Sequence, residues 1–480
     1  MEIVMKLSKV LIIVQILLLI ISLTSCNKAP QVIDGTTQDP AATTDISTEN
    51  TDDMGQEESI PFSLDIKTTS TIFGPTSAAS KISPSYGTIT LLERSDPKKR
   101  TLLATMNAGS AVIGGKTGFC YKILKSTTGG KTWSYCGYAE DDFNTAIGAT
   151  YSVSTPHLYE LPEDLGNFKA GTVFLAGVSK DAVKTSELTV TAITLFYSTD
   201  AGSTWKAFAT LDTAGGKGEG VWEPFLIYDD GKLFCFYSDD SDPMHDQKIV
   251  YKWTSDLVNW HGADGAQDCT VKPTAQTKYG EPYEAVACRS QKFRPGMASI
   301  AKMNNGQFIL CFEIVGISGS PIYCKTTDSL LDWGDVSDYG EKVVQFGNTP
   351  GAAPWIAYSP KGGDCGVLFL AAHHNASGNP KYTEGSTDLF LSFDYGKTWI
   401  RTVNPLPHTI ASGKTASDTE YYRGYSPAMV VSSDGETLYY ANMTEYSKNT
   451  ELTELSFARI NISGNYIVSG ISHQNNQTEN

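Results

Sequence analysis

The sequence predicts an all-β fold, a six-bladed β-propeller, on three observations. The first is a repeat. Ser198-Thr199-Asp200-Ala201-Gly202-Ser203-Thr204-Trp205 reads S-x-D-x-G-x-T-W, and Ser392 to Trp399 reads the same. Ser126 to Trp133 keeps all but the aspartate, and Thr254 to Trp260 and Thr326 to Trp333 are worn copies. The closing tryptophans stand at 133, 205, 260, 333 and 399, so successive spacings are 72, 55, 73 and 66 residues. A period of this size, with a turn motif between short apolar strands, is one copy per propeller blade. The second observation is a set of hairpins joined by Asp-Gly or Asn-Gly, the turns that right-twisted strands prefer. The third is that helical periodicity is scarce; only Leu161 to Phe168 hints at a helical turn.

The chain begins with Lys6 and Lys9, then a 12-residue apolar run from Val10 to Ile21 that is too short to span a bilayer with these flanks. Leu23-Thr24-Ser25-Cys26 resembles a bacterial lipobox. Residues 1–25 therefore read as a lipoprotein signal peptide and Cys26 as the lipidated new N-terminus. The protein is expected outside the cell membrane, held there by lipid alone. Residues 26–60, polar and without an apolar period, read as a disordered tether. Residues 61–470 supply the propeller, and 471–480 a polar tail. Three blades are marked by clear hairpins: Phe225–Tyr228 with Lys232–Tyr237 around Asp230-Gly231, Ala298–Met303 with Gln307–Ile314 around Asn305-Gly306, and Ala428–Ser432 with Glu436–Tyr440 around Asp434-Gly435. Weaker turn signals at Gly109, Gly171 and Gly362-Gly363 complete six. The last blade has no copy of the repeat, as expected if strands from both termini close it.

A formal charge of −16 argues against nucleic acid or anionic polymers as partners. Of nine cysteines, eight remain beyond Cys26, and none forms a C-x-x-C pair, so neither metal nor cofactor is expected. Cys120 and Cys136 flank a repeat turn as a disulfide pair might, whereas Cys235 and Cys311 lie in apolar strands as buried thiols. A monomer is expected.

Strand direction locates the binding face. In a four-stranded antiparallel blade, the turns joining strands 1–2 and 3–4 share one face, and strand 1 starts on the other, near the axis. Prolines 156, 224, 295, 354 and 427 open strand 1 in five blades, where no ladder donor is lost. The residues before them, Thr155, Glu223, Arg294, Ala353 and Ser426, should ring the mouth. Glu313 ends the second strand of the fourth hairpin after Phe308-Ile309-Leu310-Cys311-Phe312, so Glu223 and Glu313 should project from neighbouring blades into one pocket. Paired carboxylates at a concave site suit glycoside hydrolysis. Glu313, at the end of an apolar strand, suits the acid/base, because desolvation raises its pKa. Glu223, beside Trp222 and one blade from Arg294, suits the ionised nucleophile. Substrate-binding candidates are Trp222, Arg294, Tyr425, Arg423, His157 and Asp239. Tyr421, Tyr422 and Arg423 precede the last hairpin with Tyr425, the loop after Asp239 carries Asp240, Asp242, His245 and Asp246, and His373-His374 end a strand of the fifth blade.

These blocks resemble a known family. Thr155-Pro156-His157-Leu158-Tyr159-Glu160-Leu161-Pro162, Val221-Trp222-Glu223-Pro224-Phe225-Leu226, Phe236-Tyr237-Ser238-Asp239, Gln247-Lys248 and Arg294-Pro295-Gly296-Met297 with Glu313 resemble the glycoside hydrolase family 93 exo-α-1,5-L-arabinanases of the sialidase-like superfamily. The likeness runs from about Thr90 to Tyr440. It implies a six-bladed propeller that releases arabinobiose from linear arabinan with retention, using two glutamates that match Glu223 and Glu313. The repeated turn resembles the Asp-box, or BNR repeat, of that superfamily. There, Asp and Ser/Thr side chains bond backbone, the Gly takes positive φ and the Trp packs between sheets. The stretch from Gly262 to Phe293 looks long, which puts the subsites in doubt. Two rivals stand beside this reading. An exo-sialidase would need three arginines, conceivably Arg94, Arg294 and Arg423, but its Arg-Ile-Pro block is absent. A non-catalytic, glycan-binding surface propeller would need no acid pair.

Overall fold

The computed structural model describes residues 61–77, 84–97, 100–109, 111–149, 152–181, 189–216, 219–274, 276–345, 347–375, 388–408 and 422–466. The segment expected as a signal peptide, Cys26, the expected tether 26–60, Tyr421 and the expected tail 471–480 lie outside the described residues. Among the described residues there is no α-helix, and a short 3-10 turn lies at Thr145–Ile147. The strands form a six-bladed β-propeller.

Each blade is an antiparallel sheet, and in the first five the main strands follow chain order from the axis outward. The first holds Ser85–Leu92, Thr101–Asn107, Tyr121–Ser126 and Ser134–Ala139, and the second Ser152–Glu160, Val173–Lys180, Thr189–Ser198 and Lys206–Gly216. The third starts with Val221–Asp229, Lys232–Asp239 and Lys248–Thr254, the fourth with Arg294–Lys302, Phe308–Val315 and Ile322–Thr327. The fifth is built on Trp355–Ser359, Val367–Ala371, Leu389–Ser392 and Ile400–Thr402. In the sixth, Ala428–Val431, Thr437–Glu445 and Thr453–Ser463 are joined by the N-terminal strand Ser63–Phe73, which pairs Leu64 with Ile462. Both ends of the described chain thus close the ring. Six apolar clusters fill the spaces between neighbouring blades, for example Leu226, Phe174 and Trp260 between the second and third. Burying a Leu or Phe side chain of this kind stabilises by about 1.5–3 kcal/mol.

The repeated segments link the third and fourth strands of five blades. Asp200 Oδ1 accepts from the amides of Ser203 and Thr204, and Oδ2 from the Thr204 hydroxyl. Gly202 has φ +85°, and a Cβ there would meet Leu103 of the preceding blade at 2.7 Å. Asp230 and Gly231 both have positive φ, as a two-residue hairpin turn requires.

Several sequence expectations are corrected. Gly109 lies in the link between strands 2 and 3 of the first blade, and the inner hairpin there turns after Leu92. Leu161 to Phe168 is a tight loop with a Leu165–Phe168 bridge, not a helical turn. Gly262 to Phe293 carries a small hairpin, Asn259–Gly262 with Gly265–Asp268, and a strand, Tyr283–Val286, that extends the third blade. Cys120 and Cys136 are both free, because pairing of Tyr121 with Ala139 sets Cys120 beyond the reach of Cys136. Cys311 is not a thiol: it faces Cys324 across two strands, Cα to Cα 4.4 Å, and the two are disulfide-bonded. Cys235 is a buried free thiol.

Candidate active site

The inner strands carry one device six times. Tyr86, Thr155, Glu223, Met297, Ala353 and Ser426, one per blade, have φ between +46° and +59°. In the first four blades this residue and the next fall inside a β-bulge, unpaired in the ladder. A bulge re-aims a side chain, and here it directs six residues to the axial mouth. Prolines 156, 224, 354 and 427 follow four of them, where a missing N–H costs nothing. Two corrections follow. These prolines sit at bulges or just before strands, so they do not simply open strand 1. In the fourth blade Met297 takes the ring position expected for Arg294, because Pro295 pairs in register with Ile314, ahead of the bulge.

Glu223, half-buried, therefore points into the pocket from the third blade. Its Oε2 accepts from Ser238 Oγ at 2.9 Å and from the Met297 amide at 3.1 Å. Burial raises its pKa, opposed by those two donors and by the Arg294 charge. The net shift is upward, so Arg294 does not depress it as the sequence reading supposed. Glu313 lies opposite Gly296 in the fourth blade and is buried, 6% exposed. The Ala353 amide donates to its Oε2 at 2.8 Å. Burial first, then the charge of Glu223, push its pKa up to about 7. The charge of Glu223 thus bears on Glu313, which holds its proton to near neutrality.

Arg294 donates to Gln247 Oε1 at 2.7 Å and lies 3.5 Å from Asp240 Oδ2. The Trp222 indole N–H donates to that same Asp240 oxygen at 3.1 Å. Burial raises the pKa of Asp240 to about 6. Tyr425 packs edge-on to Tyr86, ring centroids 5.2 Å apart, with His373 at 5.1 Å behind it. The charges of Glu313 and Glu223 both act on Tyr425.

Other candidates sit elsewhere. His157 is buried below the glutamates, stacked on Phe225 at 4.4 Å, with Trp355 at 5.5 Å. Its Nδ1 accepts from the Leu226 amide at 2.9 Å, and burial lowers its pKa to about 3, so it remains a neutral floor residue. Asp239 is buried and spends Oδ1 on the Ser241 amide and hydroxyl. Arg423 is buried, 3.8 Å from Glu445. Asp242 is tied to His245 and Lys248 at the rim. Arg94 follows the inner strand Ser85–Leu92 at the end away from Tyr86, about 25 Å along it. No Arg94–Arg294–Arg423 cluster is assembled. Sequence reasoning missed Tyr86, the Met297 amide, and Ser238 and Asp240 as neighbours of Glu223. Tyr86 had no proline after it; Ser238 and Asp240 are revealed only by the pairing of Trp222 with Ser238 across the third blade.

No family model and no curated relative matches the chain. Among solved structures, the α-L-arabinanase of Penicillium chrysogenum complexed with arabinobiose is 27% identical, covering 82% of this chain and 98% of that one, TM-score 0.63. The GH93 α-L-arabinofuranosidase of Fusarium graminearum with arabinobiose is 23% identical over 82% and 98%, TM-score 0.63, a likeness of fold. The chain is thus similar, through its propeller, to the glycoside hydrolases of family 93, as its residue blocks imply.

Proposed function

We propose that the protein is an exo-acting glycoside hydrolase that releases arabinobiose from α-1,5-linked L-arabinan with retention. The observation that carries this reading is the placement of two carboxylates on neighbouring blades: Glu223 in the bulge of the third and bonded by the Met297 amide of the fourth, and Glu313 opposite Gly296 in the fourth, where the charge of Glu223 bears on it. Glu313, protonated, donates to the leaving glycosidic oxygen. Glu223, ionised, attacks the anomeric carbon and forms a glycosyl ester. Glu313, now a carboxylate, takes a proton from water; the water oxygen bonds to the anomeric carbon and frees Glu223. Trp222, Arg294 and Tyr425 bound the sugar. Leu23–Cys26 supports a lipid anchor at the outer side of the cell membrane, where such an enzyme trims oligosaccharides. Incubation with linear arabinan and, separately, with 4-methylumbelliferyl sialic acid tests the reading. Arabinobiose from the first and no release from the second are expected. Fluorophore release would favour a sialidase, and turnover of neither a binding protein.

A further inference from the structure

Of the six left-handed ring residues, only Glu223 and Tyr86 carry a group able to shift or share a proton beyond a simple hydroxyl. Tyr86, at φ +48°, holds a bulky side chain in a left-handed conformation that persists only where the surroundings demand it. The demand is visible at Gly87. A Cβ there would fall 2.4 Å from Leu455 Cδ1 and 3.0 Å from Met443 Cε, so the bulge is wedged against the sixth blade. The Tyr86 ring lines the same pocket as Glu223 and Met297. Its ring packs edge-on against that of Tyr425, centroids 5.2 Å apart, and the two phenols act on each other. The charges of both glutamates bear on this phenol, Glu223 the more strongly, and burial keeps it un-ionised and able to donate.

We infer that Tyr86 is a further substrate-contacting residue. Its hydroxyl donates to an oxygen of the sugar held between Glu223 and Glu313, and Tyr425 polarises it as the second member of a two-hydroxyl relay. The inference rests on the carbohydrate reading of the site. A neutral sugar supplies the acceptor oxygen that such a donor needs, and the relay strengthens the donor in a poorly solvated pocket. Tyr86→Phe removes one oxygen and keeps the ring contact with Tyr425. The variant should melt with wild-type protein, lose about 10-fold or more in kcat/KM on arabino-oligosaccharides, and bind arabinobiose correspondingly more weakly. Tyr425→Phe should also lose activity, and the double variant should lose less than the product of the two, because the hydroxyls act as one unit. Wild-type kcat/KM and arabinobiose affinity in Tyr86→Phe, with active wild-type protein, would overturn the role of Tyr86 alone. Multiplicative losses in the double variant would overturn the relay. A wild-type protein inert on arabinan would overturn the sugar reading, and this inference with it.

Discussion

At the scale of single residues, two carboxylates are withdrawn from water unequally, Glu223 half-buried and Glu313 buried. Glu313 accepts one amide hydrogen bond, Glu223 accepts an amide and a hydroxyl, and the charge of Arg294 bears on both. Both are pushed up by burial, yet Glu313 alone is pushed further by its partner's charge. An acid must be protonated to work, so kcat/KM should fall as pH rises through about 7. Measured on arabino-oligosaccharides, this alkaline limb should vanish in Glu313→Gln on substrates whose leaving group needs no acid. A stability consequence follows with a definite sign. The folded-state pKa of Glu313 lies above its ordinary value of 4.5, so its contribution is fully present below 4.5 and lost as pH rises through about 7. The loss amounts to about 3 kcal/mol at pH 8. Glu313→Gln should therefore be more stable than wild type at pH 8, with the gap narrowing toward pH 5 in denaturant titrations. An equal gap at both values would contradict the burial argument.

At the scale of elements, the legible features were those with local chemistry. The S-x-D-x-G-x-T-W segments announced their turns because aspartate, glycine and tryptophan each satisfy a local need. Asp200→Ala should cost about 1–3 kcal/mol, since the Ser203 and Thr204 amides lose their acceptor, with catalysis untouched. Thermal melts and kinetics on the same variant check both halves. Glu223 and Glu313 were legible together because strand direction alone puts the start of one strand and the end of another at the mouth. The bulges were not legible. A bulge shifts facing by one residue without any residue type that requires it, so the proline offset misplaced Arg294 and hid Met297 and Tyr86. The Cys311–Cys324 bond escaped for a similar reason: it depends on the register between two strands, which sets these cysteines, 13 residues apart in sequence, opposite each other, not on composition.

At the scale of the molecule, closure of the ring is a long-range bargain between the two ends of the described chain. Ser63–Phe73 covers the outer edge of Thr453–Ser463, which would otherwise present unpaired amides and carbonyls to solvent. Deleting residues 61–73 should abolish soluble monomer, whereas removing 1–60 should leave a folded, active propeller. Size-exclusion chromatography of the two truncations decides this, and soluble, active protein without 61–73 would contradict the closure argument. The central claim is that Glu223 and Glu313 form one catalytic pair at the mouth of this ring. It is tested most directly by turnover of linear arabinan by Glu223→Ala and Glu313→Ala, with added azide and the product anomers read by NMR. Each variant should fold and lose several orders of magnitude. Azide should give the retained adduct with Glu313→Ala and the inverted adduct with Glu223→Ala. The reverse pattern would exchange the two roles, and near-normal turnover in either variant would contradict the pair itself.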